Sequence, residues 1–357
     1  MFASGIPGSL DMTLRKNGKL ERKISGQVMK KVSHSFEDRE LFMKLSIQFL
    51  ESHFNTLFYS IAEGRAVFEM REQHRKYLMQ IASYFMEFCR LSHCKSEQKT
   101  DYYKLIYGMI NTKFMLGNID YLHELISNKH YPNILKLLPF FKELLSLVYR
   151  FSNSDDDQRR SVSKNIQNQL LHSKNVLLLI RRVIMISKPL MKYFLHICIE
   201  CNDILFKLTK KYSETHGYWH VSSLSCAAIY QRDNDAENYE SLNMGQESNF
   251  NFESLLKHYS ARDVVEFYFQ SLINCQFESA ETNNMVARYL YFIIKSEEFH
   301  KCLMRPSIVV QLQKVIAAPN SWMDQNKDLV IASNKIIRKF SQLIMSDPSN
   351  LVLSFFN

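Results

Sequence analysis

From Leu41 onward, apolar residues recur at steps of three and four: Leu41, Leu45, Phe49, Leu50, Phe54, Leu57, Phe58 and Ile61. An α-helix turns once in about 3.6 residues, so this spacing lays them on one face. The same period predicts helices at about 68–91, 101–115, 118–128, 132–151, 158–171 and 174–187. Pro132 suits a first helical position, where a missing N–H costs nothing, and Asp155, Asp156 and Asp157 mark a connection. Pro189 opens a long helix to Tyr212, whose apolar face is Leu190, Phe194, Ile197, Cys201, Ile204, Leu205 and Leu208. Periodicity then fades. Residues 213–253 hold seven Asp/Glu against one Arg, and 213–250 reads as a poorly ordered acidic linker. Helices resume at about 252–259, 261–275, 282–295, 297–304, 306–317, 325–345 and 348–356. Ser35, Ser260 (before Asp263) and Thr282 are the expected N-caps, with Pro306 and Pro348 near helix starts.

The first 31 residues follow a different pattern. They hold four of the nine glycines, and between Arg15 and Lys31 lie seven Lys/Arg against one Glu. Met12, Leu14 and Leu20 alternate with polar residues around Asn17-Gly18, a pair that supplies the positive-φ residues of a type I′ turn. The segment reads as a short β-hairpin or, alternatively, as a disordered basic tail.

Nine glycines and seven prolines in 357 residues leave too few turn-formers for a sheet protein. The 25 Phe, 18 Tyr and 16 Met then fill a long helical core. The fold class is therefore all-α: antiparallel helix pairs of these lengths suit a HEAT- or armadillo-like α-solenoid, preceded by the hairpin. The chain divides into a basic segment 1–31, a helical array 32–212, the acidic linker 213–250 and a second helical region 251–357. A net charge of +9 favours an acidic partner. Arg15, Lys16, Lys19, Arg22 and Lys23 are the candidate nucleic-acid contacts, because a hairpin would bring them together on one phosphate backbone. An odd number of cysteines, seven, without framework spacing suits a reducing compartment. No stretch approaches the roughly 20 apolar residues that span a bilayer, so no membrane association is expected.

Catalytic signatures are missing. The chain contains no phosphate-cradling glycine motif, no nucleophile elbow and no His-Glu-x-x-His pair. His196, Cys198 and Cys201, with Cys89, His93 and Cys94 elsewhere, imitate a zinc set. However, Cys198 and Cys201 fall on the apolar face of their helix and read as buried thiols. Lys210-Lys211, Arg159-Arg160 and Arg181-Arg182 read as solvated helix faces. No cofactor, metal or small-molecule substrate is expected, and the chain is read as not an enzyme.

The last third carries a resemblance. Phe250, Phe252, Leu255, Lys257 and Tyr259, then Val264, Val265 and Tyr268, then Ser279, Thr282 and Asn283, then Val286 and Leu290, follow one order and spacing over some forty residues. This run resembles the core signature of the Timeless family. Weaker echoes lie in Phe42–Ile61, Tyr77–Arg90 and the segment from Phe2 to Gly18, and the stretch 213–253 matches a longer acidic insertion in place and sign. The resemblance implies an α-solenoid that binds a Tipin-like partner, replisome components and DNA non-specifically. It would do so in the nucleus, as a non-catalytic scaffold of the fork-protection complex supporting the S-phase checkpoint and cohesion. Family members carry a further helical block before this region and a tail after it, so this chain is expected to be a short member or a fragment. The alternatives are a helical scaffold for translation or transport, and a circadian transcription partner of the same family.

Overall fold

The computed structural model describes residues 36–63, 72–95, 102–110, 112–187, 191–222, 248–296 and 298–346. The chain forms two compact units, 1–53 and 54–357. The expected hairpin, Ser35, Arg15, Lys16, Lys19, Arg22, Lys23, Pro348 and the terminal Phe355 and Phe356 lie outside the described residues, as does 223–247.

In the first unit, helix α1 is Phe36–Phe49. Leu41, Phe42, Met43 and Leu45 on it are exposed. Leu41 and Leu45 belong to the periodic face yet stay exposed, because periodicity defines a face and only a packed neighbour buries it.

The described part of the second unit is built of helices with one small sheet. Its elements begin with α2 (Asn55–Glu63), α3 (Glu72–Lys95) and a 3₁₀ turn, Tyr102–Met109. Then come α4 (Thr112–Ser127), α5 (Tyr131–Ser152), α6 (Asp157–Leu171), α7 (Lys174–Leu177), α8 (Leu179–Ile186) and α9 (Met191–His216). Strands β1 (Trp219–Val221) and β2 (Ser248–Phe250) pair antiparallel, with Trp219 opposite Phe250. After them run α10 (Phe252–Tyr259), α11 (Arg262–Ile273) and α12 (Ala280–Lys295). The chain closes its described part with α13 (Pro306–Ile316), α14 (Asn320–Gln325) and α15 (Lys327–Ser346).

Several boundaries differ from the sequence reading, each for a local reason. The helix expected at 101–115 becomes a 3₁₀ turn followed by α4. Gly108 sits so close to Asn55 that an added Cβ would lie 2.7 Å from the Asn55 carbonyl oxygen. The 174–187 helix breaks at Leu178, and the one expected at 325–345 begins at Lys327, with Asn326 as the C-cap of α14. Ser260 ends α10 rather than capping α11, whose N-cap is Ala261. Thr282 is likewise not a cap. Ser279 caps α12 by accepting from the Thr282 N–H at 3.1 Å, because a Ser three residues earlier occupies the position where that N–H is unpaired. Asp156, read from sequence only as part of a connection, caps α6 by accepting from the Gln158 N–H at 2.8 Å.

The edges of the 213–250 stretch are structured. Helix α9 continues to His216, and β1 and β2 carry buried Trp219, Val221 and Phe250. The Trp219 indole donates to the Leu171 carbonyl at 2.9 Å and packs edge-on against Tyr212 and Phe250. Counting acids over the whole stretch hid three apolar residues at its ends.

Helices α3, α5 and α9 meet around one buried carboxylate. Glu143, with a side chain 2% exposed, accepts from Arg90 Nε and Nη2 at 3.0 and 3.1 Å and from Lys142 at 2.9 Å. Lys142 also reaches Glu200 at 3.4 Å. Removing Glu143 leaves Arg90 and Lys142, both largely buried, with only the more exposed Glu87 and Glu200, a loss of the kind that costs about 3–5 kcal/mol. Glu143→Ala is expected to lower stability by that order in urea unfolding, and Glu200→Ala by under about 1 kcal/mol, since exposed pairs contribute little. Equal losses for the two would contradict this account.

Two half-buried histidines set an acid limit. His258 titrates below its ordinary 6.5 because of burial and then the nearby Arg181, Lys174 and Lys257. His123 does so through burial and Arg182, with Asp120 opposing. A base with a lowered folded pKa contributes its full stability above the unfolded value and loses it as pH falls below. The unfolding midpoint should therefore decline below pH 6.5, and His258→Asn should flatten that decline.

Candidate nucleic-acid interface

Helix α12 lies between α9 and α15, packed against both. Its inner face carries the residues of the sequence signature. Asn283 is fully buried and donates to the Cys275 carbonyl at 2.9 Å and to Asn326 Oδ1 at 2.8 Å, tying α11's end to the start of α15. Val286 and Leu290 are buried one and two turns further on. Leu255 and Tyr259 of α10 and Val264, Val265 and Tyr268 of α11 are buried as well, while Phe252 is half-buried against Phe206 and Phe292. Their common centre is Tyr289, which the signature does not include. Its ring stacks on Tyr268 at 3.7 Å and 6°, and its hydroxyl donates to the Tyr259 carbonyl at 3.0 Å. The Tyr259 hydroxyl in turn donates to the Leu177 carbonyl at 3.1 Å, and Asn202 donates to the Tyr268 hydroxyl at 3.2 Å. The signature is a packing motif that fixes α12 in rotation and height.

That rotation decides what the outer face of α12 presents: Arg288, Tyr291, Phe292 and Lys295. Arg288 grips Asp203 of α9 with Nε at 2.6 Å and Nη2 at 2.9 Å, while Lys207 meets the same carboxylate at 2.7 Å. Asp203 is only 6% exposed, so one buried negative charge anchors two cations at the surface and leaves a net positive charge. The Arg288 guanidinium is held above its usual range; burial opposes this, and the hydrogen bond and charge of Asp203 outweigh it.

Around this anchor the lysines are laid on rings. Lys210 stands 5.5 Å from the Phe292 centroid and is weakly paired to Glu214 at 3.7 Å. Lys295 and Lys335 flank Tyr291 at 5.8 and 4.7 Å. Lys339 donates to the Ile294 carbonyl at 3.3 Å, and Lys211 to Ser152 and Asn153. Among the described residues, no carboxylate pairs with Lys211, Lys295, Lys335 or Lys339. Rings and backbone oxygens thus hold these ammonium groups in place without neutralising them. A row of ordered, unneutralised cations can contact a phosphate backbone, and it carries nothing suited to reading base edges.

In the sequence Lys210-Lys211 reads as a solvated face, and Lys295, Lys335 and Lys339 belong to no motif. The usable signal was the spacing Arg288, Tyr291, Lys295 and the pair Lys335, Lys339, each on one helix face. The candidates from sequence, Arg15, Lys16, Lys19, Arg22 and Lys23, lie outside the described residues.

Among the described residues, no group of three or more His, Cys, Asp and Glu could hold a metal ion. Cys198 and Cys201 are fully buried on α9, and burial pushes both thiols up. His196 is exposed and faces Glu278 at 3.4 Å. Cys89 is buried in α3, and the side chains of His93 and Cys94 lie outside the described set. Among the described residues, no helix is long and apolar enough to cross a membrane.

Comparison with known proteins adds two findings. Residues 262–357 match the family model described as TOF1-like, helical domain, a span that opens at the first residue of α11. Over 330 residues the chain is 20% identical to topoisomerase 1-associated factor 1 of Emericella nidulans, covering 82% of this chain and 27% of that protein. The chain thus spans about a quarter of the length of that curated relative.

Proposed function

We propose that the chain acts as a non-catalytic, helical-repeat scaffold of the Timeless and TOF1 type at replication forks, holding a protein partner and a nucleic-acid backbone on stacked helices. The supporting observation is the coincidence of the TOF1-like match with α11–α15, whose signature residues fix the basic, ring-lined face of α12 and α15. On this reading the work is positioning: Lys210, Lys211, Lys295, Lys335 and Lys339 take phosphates, and Arg15, Lys16, Lys19, Arg22 and Lys23 add a second basic contact. Nuclear residence, checkpoint support and a role in cohesion belong to the same reading.

The Tipin-like partner is assigned to the C-terminal half of α15. There Ile337, Phe340 and Ile344 are half-buried and Met345 is 83% exposed, an apolar strip beside the basic face. Phe340→Asp with Ile344→Asp is expected to abolish capture of that partner while the far-ultraviolet helical signal is retained; undiminished capture removes the assignment.

The reading as a whole is tested by affinity capture of the tagged chain from S-phase chromatin. Fork helicase and polymerase subunits are the expected company. Enrichment of ribosomal or pore proteins in their place would overturn it.

A further inference from the structure

Beside β2, cations from three elements gather without a carboxylate among the described residues. Arg181, in the first turn of α8, places Nη1 3.3 Å from Nδ1 of His258 in the last turn of α10. Lys174 opens α7, next to the backbone hydrogen bond that its own N–H makes to the Ser222 carbonyl at 3.0 Å. Lys174, Arg181 and the exposed Lys257 are the charged groups that act on His258, and all three disfavour its protonation. Among the described residues, none of the three enters an ion pair, and the buried Arg181 Nε has no hydrogen-bond partner. The buried Phe250 ring lies parallel to the His258 ring at 6.4 Å and walls one side.

Taken alone this arrangement is unfavourable. Like charges repel, and a buried guanidinium N–H with no acceptor forfeits the hydrogen bond that water would give it. An oxyanion would correct both faults, and a planar guanidinium suits oxyanions with more than one acceptor atom. Three positive charges call for a dianion, because a carboxylate would leave two of them uncompensated. A running nucleic-acid strand fits poorly here. The set is compact rather than spaced along a helix, and its one aromatic wall is buried and offers no base a stacking surface. A phosphorylated side chain, with about two charges and three acceptor oxygens, fits the set in size and charge.

We propose that Lys174, Arg181, Lys257 and His258 form a docking site for a phosphoserine or phosphothreonine on a segment of a partner protein. This proposal does not depend on the fork-scaffold reading.

The test uses the full chain and two labelled peptides of neutral Gly, Ala and Ser residues, one carrying a phosphoserine and the other a serine at the same place. The phosphopeptide should bind at least tenfold more tightly. Lys257→Ala, at an exposed position where folding is not at stake, should remove most of that preference, and Arg181→Gln the rest. Sulfate, which stays doubly charged across the range, should raise the pKa of His258 measured by its ring proton shifts, and Lys257→Ala should weaken that rise. Equal affinity for the two peptides would overturn the proposal, as would a preference untouched by Lys257→Ala. Inorganic phosphate binding as tightly as the phosphopeptide would also overturn it, by making the site one for the free ion. Duplex DNA that displaces the phosphopeptide, and loses affinity in Lys257→Ala, would assign the cluster to nucleic acid and overturn it equally.

Discussion

Changing Lys210, Lys295, Lys335 and Lys339 together to Ala is expected to flatten the salt dependence of duplex binding by about 3.6 in the slope of log affinity against log salt, at about 0.9 for each phosphate no longer neutralised. Because the counterion term vanishes near 1 M salt, the same change should weaken binding on the order of a thousandfold at 0.1 M. The four side chains are held by the Phe292 and Tyr291 rings and the Ile294 carbonyl, where α12 meets α9 and α15. These contacts hold the side chains before binding, so little ordering is needed at that moment. Substitution by Arg should keep slope and affinity close to the parent, since charge and not base recognition is at work. A parallel set with Arg15, Lys16, Lys19, Arg22 and Lys23 changed to Ala separates the two basic regions. If the α12–α15 set left both slope and affinity unchanged, this face would not be the nucleic-acid surface.

Tyr289→Ala should be the most damaging single substitution in the signature region, at about 3–5 kcal/mol by urea unfolding. Three contributions combine at this side chain. It fills space among α9, α10, α11 and α12, stacks in parallel on Tyr268, and supplies the donor for the Tyr259 carbonyl. Tyr289→Phe keeps the volume and the stack and gives up one hydrogen bond, so it should cost only about 1 kcal/mol. Adding Tyr268→Ala to Tyr289→Ala should cost less than the sum of the two, because the second change removes a ring whose stacking partner is already gone. Additive losses would show that the rings do not stabilise one another. Tyr289→Ala should also weaken duplex binding, because the height and rotation of α12 set where Arg288, Tyr291 and Lys295 point.

Much of the interior was legible residue by residue. Leu255, Val264, Val265, Val286 and Leu290 recur with helical spacing, and each is buried where that spacing places it. Cys198 and Cys201 read as core thiols from their positions relative to Phe194 and Ile197, and they are core thiols. Caps were harder. Ser279 and Thr282 both suit an N-cap, and only the path of the preceding turn decides which of them meets a free N–H. The basic face was the least legible part. Lys210, Lys295 and Lys335 belong to three helices widely separated in sequence, and no local pattern says that two of them share the ring of Tyr291.

By itself the sequence determined the helical class, because few glycines and prolines and a three-to-four apolar period leave a chain little else to form. It also determined which residues of α10, α11 and α12 turn inward, since hydrophobic burial follows side-chain spacing along one helix. Tertiary structure alone decided which helices become neighbours. That choice depends on how side chains from distant segments interlock, as Tyr268 and Tyr289 do, and on single buried polar groups such as Asp203, Glu143 and Asn283 that find partners 43 to 85 residues away. Charge on an isolated helix is only a solvated face. Packing makes it part of a shared surface, as where Lys295 of α12 and Lys335 of α15 meet on the ring of Tyr291.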